Sequence, residues 1–486
     1  MQHSKSKNNL SEISKYCSDS TILVQMINGL LKGFNLNYIN SIFSKTQDRG
    51  IDLSKVFQVL FVIRFLDIKN VRQLMSTGYS KEIAHQKDVY YGFLNNAKID
   101  WRRIVTLFIK QSISLIEKKS EIKENDRPGC IIVDDSTMPK SGKSIEFIGK
   151  VFDHCSHTYQ LGMKLLTIGY SDGINFLPLD FSIHNESGKK GNRGLRKKDL
   201  EAQFTKERPE DSPGHQRVLD VSRDKIETSI SMIINATKKV VNAKYVLADS
   251  WFICEKFIRE IQKIKPKGGS HLHVIGLMKT NRIITIGKQK MKANNVPEIK
   301  QKHIKYSSKM KCHYISFIIE YKGLPMRAFW IRMKGQASWK LLICTDQNLS
   351  FIKAMKYYQI RWSIEVFFKE CKQNLHLNSC QSKSFDAYIA HISITFMNYA
   401  ILSLRKRFED YETLGILFRE VQRELIEMTL IEKIWKFMIE IFNVLLAELG
   451  VDWEVFMSKI IQNQSLINEC ILKAFNTLLA TPKRII

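Results

Sequence analysis

The chain has 486 residues, 44% hydrophobic and 10% aromatic, enough to bury more than one core and too apolar for a disordered or fibrous protein. Lys and Arg number 75 against 48 Asp and Glu, a formal net charge of +27 at pH 7. An excess of that size calls for a polyanion, and nucleic acid is the commonest, since each phosphate contact releases counterions whatever the base sequence. An anionic membrane surface is the weaker reading.

The opening MQHSKSKNNLSEISK has no apolar core behind its cations and does not read as a secretory signal. The most apolar stretch, Val56 to Ile68, carries Arg64 and Asp67, so no membrane-spanning helix is expected. Nine cysteines are scattered without a C-x-x-C pair, against a disulfide framework or ribbon-type zinc site. Reduced thiols and a location inside the cell, cytoplasmic and beside the nucleoid, are the expectation.

Along the chain, the first fifty residues are polar and broken by Asn, Ser and Gly. Helical periodicity then runs over Ile51 to Ile68 and Trp101 to Lys118, which predicts a helical domain over 1–125, suited to DNA binding. The charged segment Glu121 to Gly129 ends in Pro-Gly and reads as a linker. Strand signals follow at Cys130 to Asp134, Leu161 to Tyr170 and Ile174 to Ile183, the last two parted by Ser-Asp-Gly as in a hairpin.

After a Gly- and Lys-rich stretch, helical spacing returns over Asp224 to Val240, and the strand Tyr245 to Ala248 runs directly into Asp249. Strand, helix and strand in that order predict an α/β fold, a mixed sheet flanked by helices over 126–404. Short β runs between Lys-rich turns suggest a β-rich insertion at about 271–345. From Ile352 the pattern is helical, and amphipathic stretches of the 405–486 region such as Ile431 to Leu449 suit dimer contacts or packing within one chain.

The most informative segment is Lys356 to Lys372, KYYQIRWSIEVFFKECK. On one helix Tyr358, Arg361, Glu365 and Lys372 share a stripe beside a buried face of Ile360, Ile364, Phe367 and Cys371. An ordinary amphipathic helix with an Arg361–Glu365 pair, worth about 0.3–0.5 kcal/mol, would account for that segment alone. Carboxylates elsewhere shift the balance. Asp134 and Asp135 end one strand and Asp249 another, where α/β folds present ligands. Each Asp singly suits a turn or helix cap. Together with Glu365 they suit hard divalent cations such as Mg²⁺, which promote phosphodiester cleavage.

The spacing Tyr358-x2-Arg361-x3-Glu365-x6-Lys372 resembles the Y-R-E-K signature of insertion-sequence transposases of family four. The segments IIVDDSTMPKSGKSIEFIGKVFDHCSH, GMKLLTIGYSDGINFLPLDF and YVLADSWF are similar to that family's two upstream catalytic blocks, so the likeness covers roughly 126–400. It implies an RNase-H-like domain with a β insertion before the last acid, and a D-D-E triad holding Mg²⁺ or Mn²⁺. Implied partners are double-stranded DNA, both terminal repeats and target, and a second copy of the chain.

The implied chemistry is cut-and-paste transposition: metal-dependent cleavage at transposon ends, then strand transfer into target DNA. Carried over, Glu365 is the last acid, Asp249 the second, and either Asp134 or Asp135 the first. Asp-x-Thr favours Asp135 and Asp-Asp-Ser favours Asp134. Tyr358, Arg361 and Lys372 resemble the residues that contact transposon-end phosphates. After Asp249 the chain reads Ser-Trp-Phe in place of the Arg-Glu-Ala of some relatives.

Other candidates are less specific. His154 and His157 lack companions at metal-ligand spacing, and no G-x-S-x-G elbow surrounds Ser136. The loop cations Lys189, Lys190, Arg193, Arg196, Lys197 and Lys198 form either a solvated loop or a DNA-backbone clamp. Phe329, Trp330 and Trp339 suit stacking on an extruded base or, for at least two of them, the core of the insertion. Two rivals to a transposase are a metal-dependent nuclease that cuts without joining and a non-catalytic DNA-binding derivative.

Overall fold

Three parallel strands with unbroken apolar runs form the middle of the sheet: β1 (Cys130–Pro139), β5 (Tyr245–Ala248) and β6 (His273–Met278). Cys130 to Val133 and Tyr245 to Ala248 are buried throughout, as strands covered on both faces must be. The structure, a computed structural model, describes residues 31–46, 51–119, 129–266, 269–408 and 416–423, less 32, 82 and 84, with scattered positions between 446 and 463. Residues 27–421 form one compact unit, and residues 1–26 with 422–486 a second. The expected linker at 121–128 and the stretch 431–445 lie outside the described residues.

On one side of β1 the sheet continues antiparallel through β3 (Thr158–Ser171), whose far edge is shared by β2 (Gly149–Asp153) and β4 (Phe176–His184). The expected hairpin is the β3–β4 pair. On the other side, β6 is followed by β12 (Lys340–Cys344), β11 (Leu324–Met333), β10 (Cys312–Tyr321), β7 (Ile283–Ile286) and β8 (Gln289–Lys292), with β9 (Lys305–Ser307) also on β10. The β-rich segment therefore extends the central sheet, and the whole is a mixed twelve-stranded sheet flanked by helices.

Among the described residues, five α-helices precede the sheet: α1 (Asn37–Thr46), α2 (Leu53–Val62), α3 (Val71–Met75), α4 (Lys87–Leu94) and α5 (Trp101–Lys119). The run Ile51 to Ile68 is helical only to Val62. There the chain turns, with Asp67 at φ 57°, so that Arg64 points inward to donate to the Lys69 carbonyl and to His391 Nδ1, both at 2.7 Å. Then come α6 (Lys197–Glu201), α7 (Pro213–Ser222), α8 (Lys225–Lys239), α9 (Glu255–Lys263), α10 (Val296–Ile299), α11 (Phe351–Ile360), α12 (Trp362–Gln373) and α13 (Phe385–Phe408). Asp224 caps α8, accepting from the Ile226 and Glu227 amides.

Helix α13 is buried from Phe385 to Leu404. It is long and apolar enough to cross a bilayer, but its apolar window lies wholly inside the protein, packed on α5, β4 and α12.

Buried ion pairs tie these parts together. Arg208 grips Glu146 in two-pronged fashion, at 2.7 and 2.8 Å, and reaches Asp386 at 3.1 Å. Arg102 of α5 joins Asp180 of β4 and Asp220 of α7 at 2.9 and 3.0 Å. Removing one partner of such a cluster leaves a buried charge unpaired. Arg208→Met is expected to lower stability by about 3–5 kcal/mol, read as a shifted midpoint in chemical unfolding, whereas Arg196→Met on the exposed loop should leave it within about 0.5 kcal/mol.

Candidate active site

The site begins with a register. β1 and β5 run parallel with Val133 beside Ala248, so the next residues, Asp134 and Asp249, stand side by side where β5 ends, on strands about 4.8 Å apart. Asp249 Oδ1 accepts from the amides of Trp251 and Phe252 at 2.9 and 3.4 Å, a local turn that the Ser-Trp-Phe sequence supplies through its backbone. Alternation along β1 sends Asp134 and Asp135 to opposite faces.

Asp134 Oδ2 accepts from Arg361 Nη1 at 3.0 Å, and the other Arg361 amino group donates to Glu365 Oε1. Asp135 instead meets Lys225 Nζ at 2.5 Å and Lys164 Nζ at 3.9 Å. The Lys225 ammonium also lies 4.3 Å from the centre of the Trp251 ring.

The segment expected as one helix is two, α11 and α12, meeting at Arg361. The chain tightens there: the Arg361 amide donates to the Tyr358 carbonyl at 3.0 Å, and the Ile364 amide to the Arg361 carbonyl at 3.2 Å, both three residues back. Ile364, Phe367 and Cys371 are buried as expected, joined by Phe368, while Ile360 is half-buried. The packed face of α12 holds Glu365 at the sheet end. In the last turn of α12, Lys372 Nζ donates to Ser136 Oγ at 2.7 Å, and Ser136 is two residues beyond Asp134 on the same face of β1. The structure thus brings together Asp134, Asp249, Arg361, Glu365, Ser136 and Lys372, with Tyr358 beside them, its ring centre 5.8 Å from the Arg361 guanidinium.

The electrostatics follow from that crowding. Burial, then the neighbouring Asp249 charge, push the Asp134 carboxyl up to about 7 against the opposing pull of Arg361. Burial pushes the Tyr358 hydroxyl up to about 12 and lowers the Lys372 ammonium. Two carboxylates pressed together at a sheet end have the charge and oxygen chemistry to hold one hard divalent cation, with water and phosphate oxygens completing its shell. Glu365 is turned to Arg361, and among the described residues no three His, Cys, Asp or Glu side chains stand together as a metal-holding group. The fit is therefore that of the Asp134–Asp249 pair.

Of the remaining candidates, Lys189, Lys190, Arg196, Lys197 and Lys198 are exposed. Arg193 is built into the fold: it donates to Gln203 at 2.6 Å, and its carbonyl accepts from the Lys150 amide on β2. Arg196 pairs with Asp199. His154 stacks edge-on with Phe152, and His157 occupies a turn at φ 54°. Trp330 and Phe329 are core residues, and Trp330 Nε1 donates to the Ala293 carbonyl at 2.7 Å. Trp339 is half-buried beneath Arg332. The contacts of Ser136 with Lys372 and of Asp135 with Lys225 join residues far apart in the chain and leave no local signal.

Residues 200–401 match the family model described as a transposase DDE domain, and residues 66–283 match that of a DDE superfamily endonuclease. The first span contains Glu365, the second Asp134, and both contain Asp249. The matches support a place in the DDE transposase/endonuclease superfamily, and with it a nuclease-type enzyme with a DNA substrate. No curated protein matches the chain.

The raised Asp134 carboxyl has a defined consequence for stability. Its folded value of about 7 exceeds the roughly 3.9 of an unfolded aspartate, so the folded state holds the proton more tightly. Stability from this group is fully present below about pH 4 and is lost as the pH rises through about 7. In chelator, the melting temperature of the wild type should fall more steeply across that window than that of Asp134→Asn. Parallel melting curves for the two proteins would contradict the assignment.

Proposed function

We propose that the chain is a transposase of the insertion-sequence family-four type, built on an RNase-H-like sheet, that cleaves DNA at the ends of a mobile element and joins the freed ends to target DNA. The observation that carries this reading is the in-register pair Asp134 and Asp249, with Glu365 brought to it from α12 through Arg361. In the first step water attacks the phosphorus at the element's end and the 3′ oxygen leaves. In the second, that 3′-hydroxyl attacks a phosphodiester of the target and displaces its 3′ oxygen.

In the proposed site Asp134 is the first acid, Asp249 the second and Glu365 the last. Direction favours Asp134 over Asp135: it shares a face with Asp249, while Asp135 turns to Lys225. Asp134 and Asp249 would hold Mg²⁺ or Mn²⁺, which supplies Lewis-acid stabilisation of phosphoryl charge and a more acidic attacking water. Arg361 offers a planar fork to non-bridging phosphate oxygens, and Lys372, steadied by Ser136, a point charge. Tyr358 backs the Arg361 guanidinium. Lys189, Lys190 and Lys198, all exposed, add further cations for the DNA backbone. A homodimer pairing two ends, and DNA contacts from the helices of 37–119, complete the proposal.

A cutting enzyme that does not join is the second reading, favoured by the endonuclease match over 66–283. Supplying pre-cleaved 3′ ends separates the two, because only a transposase will link them to a second duplex. With duplexes carrying the element's terminal repeats, Asp134→Asn and Glu365→Gln are expected to slow cleavage on the order of 10³-fold, about 4 kcal/mol of transition-state stabilisation. Asp135→Asn should stay within about tenfold, or 1.4 kcal/mol. Gel quantification of nicked product checks this, and equal losses at Asp134 and Asp135 would contradict the assignment of the first acid.

A further inference from the structure

The far end of the sheet carries a cluster of cations that no acid among the described residues pairs with. Between residues 279 and 311 there are ten Lys or Arg and one acid, Glu298. Among the described residues none of the ten is in an ion pair, although Lys263 and Lys322 on either side are paired with Glu260 and Glu255. The cations lie around the β7–β8 hairpin, whose turn begins at Gly287 (φ 61°), and along the segment that leads into β9.

On β8, Lys290 and Lys292 alternate with Gln289 and the half-buried Met291, so both point to one exposed face, and Lys288 sits in the adjoining turn. Facing Lys292 across the hairpin is Ile283, 53% exposed, and Tyr306 on β9 is 57% exposed. Lysines on an edge strand also guard it against pairing with another sheet. That role needs only a charge or two on the strand, and does not call for further unpaired cations around the exposed Tyr306.

We propose that this end of the sheet is a second DNA-backbone surface, separate from the acid site. Two residues of strand advance about 6.8 Å, and each strand of a duplex presents a phosphate about every 3.4 Å along its axis, so Lys290 and Lys292 match sites two phosphates apart. From β5 to β8 the sheet takes six strand-to-strand steps, at most about 29 Å at roughly 4.8 Å each. A duplex seated at the acids would therefore reach these lysines about 8 base pairs away. The inference rests on the proposal that the acids act on DNA, and it adds where the flanking duplex is held.

The test is fluorescence anisotropy of a labelled duplex, titrated with salt, for the wild type and for the triple variant Lys288→Gln, Lys290→Gln, Lys292→Gln. All three side chains are exposed, and a melting curve confirms folding. On a duplex long enough to span both surfaces, the variant's plot of log affinity against log salt should be shallower by about 2.7, three contacts at roughly 0.9 each. On a duplex cut off about 4 base pairs from the scissile position, about half the reach estimated above, the two proteins should bind alike. Cleavage at saturating long duplex should be retained.

An unchanged salt slope on the long duplex overturns the proposal, as does a variant that aggregates while keeping full affinity, the result for edge protection alone. A wild-type protein that binds no duplex at all overturns the DNA reading of the acid site as well, and so tells the two failures apart.

Discussion

Two carboxylates held side by side in a low-dielectric setting repel one another, and the rest of the site is arranged around that repulsion. Asp134 and Asp249 are forced together by the pairing of β1 with β5, whose backbone hydrogen bonds fix the register whichever side chains come after Val133 and Ala248. The side chains can relax by taking up a proton, by gaining a cation, or both. Burial and the neighbouring Asp249 raise the Asp134 carboxyl, which favours the first, and the Arg361 guanidinium supplies the second. A bound divalent ion would answer the same need more completely, which makes Arg361 its internal counterpart.

Apolar packing, rather than charge, holds Arg361 there. Phe367 of α12 packs among Phe176 of β4 and Phe396 and Tyr399 of α13, with ring centres 4.7 to 5.1 Å apart. Such rings bury a large apolar area, and their mutual geometry adds about 0.5–1.5 kcal/mol per pair. The axial position of α12 is thereby set, and Glu365, Arg361 and Lys372 inherit it. The wholly buried α13 is the floor on which this rests, so its apolarity serves the active face indirectly. The buried Arg208 and Arg102 clusters secure the same floor from the other side by tying α13, α5 and α7 to the sheet.

Much of this was legible in the sequence, for physical reasons. The strand Tyr245 to Ala248 lies where β-branched and aliphatic residues predict it, because full burial leaves no alternation to misread. The Y-R-E-K spacing placed Arg361, Glu365 and Lys372 on one side because short helices preserve i, i+4 and i+7 neighbours even when they break. The break itself was not visible, since Arg361 and Trp362 are acceptable helix residues and the one carboxylate that reaches Arg361 from far along the chain, Asp134, leaves no local signal. Nor was the choice between Asp134 and Asp135. Parity along a strand is fixed only once its partner's register is known, and nothing near residue 134 encodes a register set by residues 245–248 and by Lys225. The strands of 273–344 were foreseen, but their continuity with the central sheet depends on pairing between β5, β6 and β12 that no local pattern carries.

The distribution of charge completes the physical picture. A pair of acids repels the phosphates it is proposed to act on, so it cannot by itself hold a duplex. Around the acids, Arg361 and Lys372 offset that repulsion locally, but Arg361 is already engaged by Asp134 and Glu365. Net attraction must therefore come from cations beyond the reach of the acids. At physiological salt, charges more than about 8–10 Å apart are largely screened from each other, so lysines near β8, several strands from β5, would attract a phosphate backbone with little interference from Asp134 and Asp249. In the proposed reading affinity and chemistry are thus carried by different parts of one sheet, and the net charge of +27 matters less as a total than through where its unpaired members stand.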